Sequence, residues 1–231
     1  MRSRPVIGIL LCLALLRIPG VAVATGAGTA ESPVMGALAP VLQARLSPWI
    51  AAWTAVSPDF DLRRFRMTLL RNVAEEWVAD STVLGEMHEA LRSKLYVTSP
   101  DTTRALYPYA TISFVTRNER TTVGIGTDSA VMLIDLTAHR TMWLGQCDIG
   151  CGFQEAVWLA NDRAIIAGYE VDFNDSNCPN SRACRATPEL LLYDFTRHVV
   201  MIFQGPAVPG GPQHEYTVQR IHDKLPNVAI Y

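Results

Sequence analysis

The sequence FQEAVWLANDRAIIAGYEVDF, residues 153–173, decides the fold class because two runs of strand-forming residues flank a turn. The first run, 153–159, is rich in aromatic and β-branched residues. The polar residues of 160–163 (ANDR) are typical of a turn, and 164–173 predicts the returning strand. The stretch therefore predicts an antiparallel hairpin.

Short runs of the same kind fill the chain from residue 96 to residue 231. They alternate with turn residues and have no helical insertion, which is typical of an antiparallel meander. The predicted strands are 94–98, 104–107, 111–116, 122–125, 131–136, 141–145, 155–159, 164–173, 190–195, 200–204 and 216–221.

Two segments of this region share a sequence pattern. Residues 134–142 (IDLTAHRTM) and 193–201 (YDFTRHVVM) carry Asp, Thr, His and Met at matching positions, 59 residues apart. Each segment predicts a strand that ends in Asp, a tight turn that contains His139 or His198, and a second strand.

The pattern resembles the inner hairpins of β-propeller blades, in which a hydrophobic strand ends in Asp before a polar turn. The resemblance covers about 130 residues, and Ser99-Pro100-Asp101 resembles the turn after a blade strand. At about four strands a blade, the predicted strands are too few to close a ring. The resemblance therefore implies an incomplete, propeller-like assembly.

Residues 34–95 instead show helical periodicity. Short helices are predicted over residues 38–53, with breaks near two prolines. Asp61 is a candidate N-cap for a helix over 62–77, and a last helix is predicted over 80–95. The predicted fold class is therefore α+β: a helical segment, 34–95, followed by an antiparallel β domain, 96–231.

The first 24 residues predict export. Arg2 and Arg4 precede an apolar run of 11 residues, and Ala22-Val23-Ala24 is a small-residue cleavage site. The apolar run is shorter than the roughly 20 residues that span a bilayer, so we expect cleavage and no stable membrane insertion. The mature protein is expected to be periplasmic or secreted and to begin at Thr25.

The mature chain would be mildly acidic. Residues 25–33 (TGAGTAESP) predict a flexible linker after the signal peptide. Cleavage removes three arginines and no acid, which changes the net charge from −2 to −5. Nucleic-acid binding needs clustered Lys and Arg, so we expect no nucleic-acid partner.

Four cysteines remain after cleavage: Cys147, Cys151, Cys178 and Cys184. An even number in an exported chain favours two disulfides, with three pairings open. Their spacing lacks the tight knuckles of structural zinc sites and the C-x-x-C of redox centres. A disulfide staple is therefore the preferred interpretation.

The stretch 172–177 (DFNDSN) is the most ligand-like in the chain. Asp172, Asn174 and Ser176 alternate as in the first half of a calcium loop. Asn177 stands where such a loop needs Gly, and Ala183 where it needs Glu, so the match is partial.

No phosphate-binding loop, nucleophile elbow or zinc-protease motif is present, so no cofactor is predicted. The preferred function is an exported, disulfide-stapled binding protein for a protein or small extracytoplasmic ligand. A secreted hydrolase and a partner-specific inhibitor or immunity-type protein are the alternatives. The candidate catalytic residues of the hydrolase are Asp172, Asp175, His139 and His198.

Overall fold

The strands and helices come from a computed structural model, which describes residues 32–79, 89–173 and 184–231. The predicted signal peptide and nearly all of the predicted linker lie outside these residues. The helices are Pro33–Arg45 (α1), Ser47–Val56 (α2), Glu89–Arg92 (α3) and His214–Lys224 (α4). The strands are Arg66–Asn72 (β1), Val78–Ala79 (β2), Val97–Thr98 (β3), Arg104–Tyr107 (β4), Ser113–Arg117 (β5), Arg120–Gly124 (β6), Ser129–Asp135 (β7), Arg140–Cys147 (β8), Cys151–Ala160 (β9), Arg163–Asp172 (β10), Arg185–Asp194 (β11), Val199–Gln204 (β12), Val208–Pro209 (β13) and Ala229–Ile230 (β14).

These strands form three sheets. Sheet A has the order β1-β12-β11-β10-β9, with β13 beside β11; sheet B has the order β2-β8-β7-β4-β3; sheet C has the order β14-β6-β5. Strand pairs within the described residues are antiparallel except for β14 and β6, which are parallel. A mixed α+β fold with a β-meander is therefore confirmed. Over the part of the chain that the structure describes, no sheet closes into a ring.

The sheets and helices stack as layers with three hydrophobic clusters between them. Helices α1 and α2 pack on the outer face of sheet A. The inner face of sheet A packs on sheet B. The other face of sheet B is covered by α4, sheet C and the residues after α4.

The central strands of sheet A, such as β10, are thus buried on both faces, which explains their continuous apolar runs. In β10, Ile165 and Ala167 contact the helical layer, whereas Ala164 and Ile166 contact sheet B. A strand with one solvated face would alternate apolar and polar residues instead.

The two segments with the shared pattern form equivalent hairpin turns. Asp135 accepts hydrogen bonds from the backbone N–H groups of its turn, and Asp194 accepts the corresponding bond from Arg197. His139 and His198 have positive φ, at 51° and 53°. The predicted strand, Asp, turn and strand of each segment are confirmed.

The helix predicted over residues 62–77 is wrong. Asp61 does cap through its side chain, but the capped element is a single 3-10 turn, Leu62–Arg64. Strand β1 follows and pairs with β12, which extends sheet A by one strand. The helical periodicity predicts that Leu69 is buried, but Leu69 and its neighbour Leu70 are about half exposed. Strand pairing overrides local helical preference here.

The strand predicted over residues 216–221 is also wrong, because this segment lies within α4. Ile221 and Leu225, the residue that caps α4, are four positions apart and pack in the same cluster, as helical spacing requires, whereas Tyr216 packs in the cluster of the outer helical layer. Of the helix predicted over 80–95, residues 80–88 lie outside the described part of the chain. The remainder forms α3 and a 3-10 turn, Ser93–Leu95.

A β-bulge in β8 is coupled to a tyrosine of the facing sheet. Val131 pairs with Gly145 and Met132 with Trp143, so Leu144 is an extra residue in β8. The buried Tyr193 hydroxyl, from sheet A, donates to the Leu144 carbonyl at 2.8 Å. Bulges leave backbone groups outside the ladder, and this bond satisfies one of them in the core.

We predict that Tyr193→Phe lowers the free energy of unfolding by about 1–2 kcal/mol, because it leaves the Leu144 carbonyl without its buried donor. Urea unfolding measures the change. The matched control is Tyr231→Phe, at an exposed tyrosine, for which we expect a change within about 0.5 kcal/mol. Equal effects of the two substitutions would show that the bond from Tyr193 to the Leu144 carbonyl does not stabilise the fold.

Candidate functional site

The facing sheets A and B have two different ends. At one end, the β3–β4 turn contacts the β9–β10 turn, since the Asp101 N–H and the Arg104 guanidinium both donate to Asn161. The β7–β8 and β11–β12 turns lie at this end too, and we call it the turn end. The other end carries the β8–β9 connection, and we call it the disulfide end.

The predicted catalytic residues that the structure describes divide between these ends. His139 and His198 are exposed at the turn end, where the His198 Nδ1 lies 3.0 Å from Glu75 Oε1. Asp172 ends β10 at the disulfide end, nine residues from Arg163 at the start of the strand. At about 3.3 Å a residue, that separation is about 30 Å. The structure therefore does not bring Asp172 to either histidine.

The remaining predicted ligands lie mostly outside the described residues. Asp175, and the calcium candidates Asn174 and Ser176, belong to this group, as does Cys178. Asp172, the third calcium candidate, is exposed. Among the residues that the structure describes, no group of three His, Cys, Asp or Glu side chains is placed to hold a metal ion.

Two of the predicted cysteines are joined. Cys147 at the end of β8 and Cys151 at the start of β9 form a disulfide, with Cα atoms 6.1 Å apart. The fourth, Cys184, is fully buried beside the helical layer. Among the pairings that the sequence leaves open, the structure thus contains the local one for the first two cysteines.

A cleft of about 440 Å³ lies at the disulfide end. Its walls come from the β4–β5 and β6–β7 connections, the disulfide loop, strands β9 and β10, and the first turn of α4. The lining residues include Tyr109, Gly126, Asp128, Ser129, Phe153, Tyr169 and His214. Aromatic rings and hydroxyl groups therefore share this surface.

Two of the aromatic rings pack directly against glycine residues. A Cβ on Gly152 would lie 2.6 Å from Tyr169 Cε1, and a Cβ on Gly145 would lie 2.8 Å from Phe153 Cζ. Both rings therefore rest directly on backbone. Burial, together with the negative charge of Glu215, raises the pKa of Tyr169 to about 12, so its hydroxyl stays protonated at neutral pH.

A β-bulge in β9 places a polar pair beneath the cleft. Ala167 pairs with Glu155 and Gly168 with Phe153, so Gln154 is an extra residue in β9. The Gln154 side chain accepts from Trp49 Nε1 at 2.9 Å and donates to the carbonyls of residues 212 and 213. The hydroxyl of the cleft residue Tyr109 donates to the Gln154 carbonyl at 2.7 Å.

Glu155 forms the charged half of this pair and is only 6% exposed. It accepts from the Tyr216 hydroxyl at 2.8 Å and from Nε of Arg220. Burial opposes the charge of Arg220, but its bond to Glu155 raises the Arg220 pKa above the ordinary value. Burial and the Glu155 charge also raise the Tyr216 pKa, so the network carries one ion pair and a neutral tyrosine.

The sequence contained one signal for this network. Gln154-Glu155 interrupts an otherwise apolar strand, and a polar pair inside such a run is informative when it is buried. Its partners Tyr109 and Tyr216 lie 45 and 61 residues away in sequence from the atoms they contact. No local spacing marks them.

Comparison with known proteins yields no match to a family model, to a curated protein or to a solved structure. A functional proposal therefore depends on the geometry of the cleft and of the hydrogen-bond network beneath it. Within the three described ranges, none of the helices has both the length and the apolar character needed to cross a membrane.

We predict that Glu155→Gln lowers the free energy of unfolding by about 2 kcal/mol. Arg220, whose side chain is 20% exposed, would lose its main counter-charge, and the cost of an unpaired buried charge is reduced by that exposure. Urea unfolding at neutral pH measures the change.

The control for this substitution is Asp223→Asn, which removes the second, more exposed carboxylate of the same arginine, 3.5 Å away. Exposed ion pairs contribute little, so we expect a change below about 0.5 kcal/mol. A larger loss for Asp223→Asn than for Glu155→Gln would show that the buried network does not anchor α4.

Proposed function

We propose that this protein is an exported, disulfide-stapled binding protein that holds a small extracytoplasmic ligand in the cleft at the disulfide end. The cleft itself is the observation that carries the proposal. Its volume of about 440 Å³ falls within the range of small-molecule sites. Such sites combine apolar walls with a few fixed polar groups, as do Phe153, Tyr169 and the hydroxyls beside them.

The hydrolase alternative has less support. Among its predicted residues that the structure describes, Asp172 lies at the disulfide end, whereas His139 and His198 lie at the turn end. The cleft does contain a serine, a histidine and an aspartate, but Ser129 Oγ accepts from the Phe153 N–H at 2.9 Å. No hydrogen bond between described residues joins His214 to Ser129 or Asp128, whereas an activated nucleophile needs its base within hydrogen-bond reach.

We predict that Gly126→Trp abolishes ligand binding without unfolding the protein. A Cβ at Gly126 meets only the Asp128 backbone nitrogen, at 3.9 Å, so a side chain can start there and fill the cleft. Small molecules retained by the purified protein are released by denaturation and identified by mass spectrometry. The same molecules are then tested for an increase in Tm.

Gly36→Trp is the matched control, because it adds the same side chain on α1, where nothing lies within 4 Å of the new Cβ. We expect this variant to retain the ligand that Gly126→Trp loses. Equal ligand retention by both variants, or the absence of any retained or stabilising compound with either variant and the original chain, would reject the cleft as the binding site.

The export half of the proposal is supported by the N-terminal signal pattern and by the bond between Cys147 and Cys151. Disulfides persist in oxidising compartments. We predict that the intact mass of the exported chain corresponds to a start at Thr25. It should be lower than the reduced mass by the hydrogens of two disulfides.

The mass is measured on denatured protein with and without reductant. A reduced-state mass in an exporting host, or a chain that retains residues 1–24, would contradict this half of the proposal. Neither result would bear on ligand binding in the cleft, which the tryptophan variants test separately.

A further inference from the structure

We infer that the ligand of the cleft is an organic cation with an apolar body, such as a substituted ammonium compound. The inference rests on the proposed function, since it names the chemistry of the ligand that the same cleft holds.

The cleft wall carries negative charge. Asp128 is an exposed residue of the cleft wall. Its carboxylate accepts a hydrogen bond from Thr127 Oγ1 at 3.3 Å, and its backbone carbonyl accepts one from Thr111 Oγ1 at 2.8 Å. A second carboxylate, Glu215, lies close enough to Tyr169 to affect its titration. The described lining residues include no lysine or arginine.

Aromatic rings line the same cleft as Asp128. Phe153 and Tyr169 both line the cleft, and their rings pack against Gly145 and Gly152. Aromatic faces attract cations through the ring quadrupole, and clusters of aromatic residues bind quaternary ammonium groups. A carboxylate next to such rings adds a charge that an anionic ligand would meet as repulsion.

Lys224 and Arg220, the cations described next to the cleft, do not cancel the negative charge of its wall. Lys224 lies over the Tyr109 ring, with Nζ 5.8 Å from the ring centroid, and Arg220 is paired with Glu155. Asp223 lies 3.5 Å from the same arginine. Among the described residues, Lys224 and Arg220 are thus matched in number by the carboxylates of Glu155 and Asp223, and Asp128 is a further negative charge on the cleft wall.

The test compares three probes of similar shape and different charge: benzyltrimethylammonium, benzyl alcohol and benzoate. Isothermal titration calorimetry on the mature chain should show binding of the cation, weaker binding of the alcohol and no binding of benzoate. We expect Asp128→Asn to weaken binding of the cation about fivefold. Tyr169→Leu, which keeps an apolar side chain, should weaken it to a similar extent.

Asp162→Asn, in the β9–β10 turn at the opposite end of the sheets, serves as the charge-matched control and should leave the affinity for the cation unchanged. Circular dichroism and Tm establish that each variant is folded. The inference is overturned if the cation fails to bind at millimolar concentration, if benzyl alcohol or benzoate binds as tightly, or if Asp128→Asn has the control's affinity.

These outcomes separate the two proposals. Binding of benzyl alcohol or benzoate that Gly126→Trp abolishes would reject the organic cation and keep the cleft as a binding site. Binding of any probe that Gly126→Trp leaves unchanged would reject the cleft itself.

Discussion

The bulge residue Gln154 in β9 is the constraint on which the arrangement of the layers depends. Gln154 lies outside the register with β10, so it and Glu155 project polar groups into a core where each must find a partner. Trp49 of the outer helical layer bonds one of them, and Tyr216 and Arg220 of α4 bond the other. One two-residue site thus fixes two helical layers relative to the same strand.

A bulge whose carbonyl accepts a hydrogen bond from a buried tyrosine hydroxyl occurs in two strands. In β8 and in β9, an extra residue removes a carbonyl from the ladder, and a buried tyrosine hydroxyl from another element bonds to it. A tyrosine at such a position is specified by hydrogen bonding as well as by volume, because a buried carbonyl without a donor is costly. The two bulges therefore couple strand irregularity to the packing of separate layers.

Much of the β-structure could be predicted because burial on both faces gives strands of sheet A a distinctive composition. The run 164–173 matches β10 to within one residue at each end. The segment 62–77 could not be predicted in this way, because its conformation depends on pairing with β12, which lies more than 120 residues later. The helix α4 was missed because its first residues alternate like a strand, and the helical spacing appears only when Leu225 is included.

The candidate site was harder to predict than the fold for a related reason. His139 and His198 share a sequence pattern because they share a turn conformation with positive φ, and so their repetition has a backbone cause. Residues of the cleft have no common pattern, since Tyr109, Asp128 and Tyr169 come from different connections and strands. Only the polar pair in β9 was visible locally, and its partners required the folded structure.

The disulfide shapes the cleft more than it stabilises the chain. It joins residues only four positions apart, and a loop of that length loses little chain entropy on closure, so the stabilisation is about 2 kcal/mol or less. The loop it closes, however, contains Ile149 and Gly150, which form one wall of the cleft. Val171 of β10 holds the same loop through a bond from its N–H to the Gly150 carbonyl. If the cleft holds the proposed ligand, a wall fixed before the ligand arrives would reduce the entropy lost on binding, which a very short disulfide at this end of the sheets achieves.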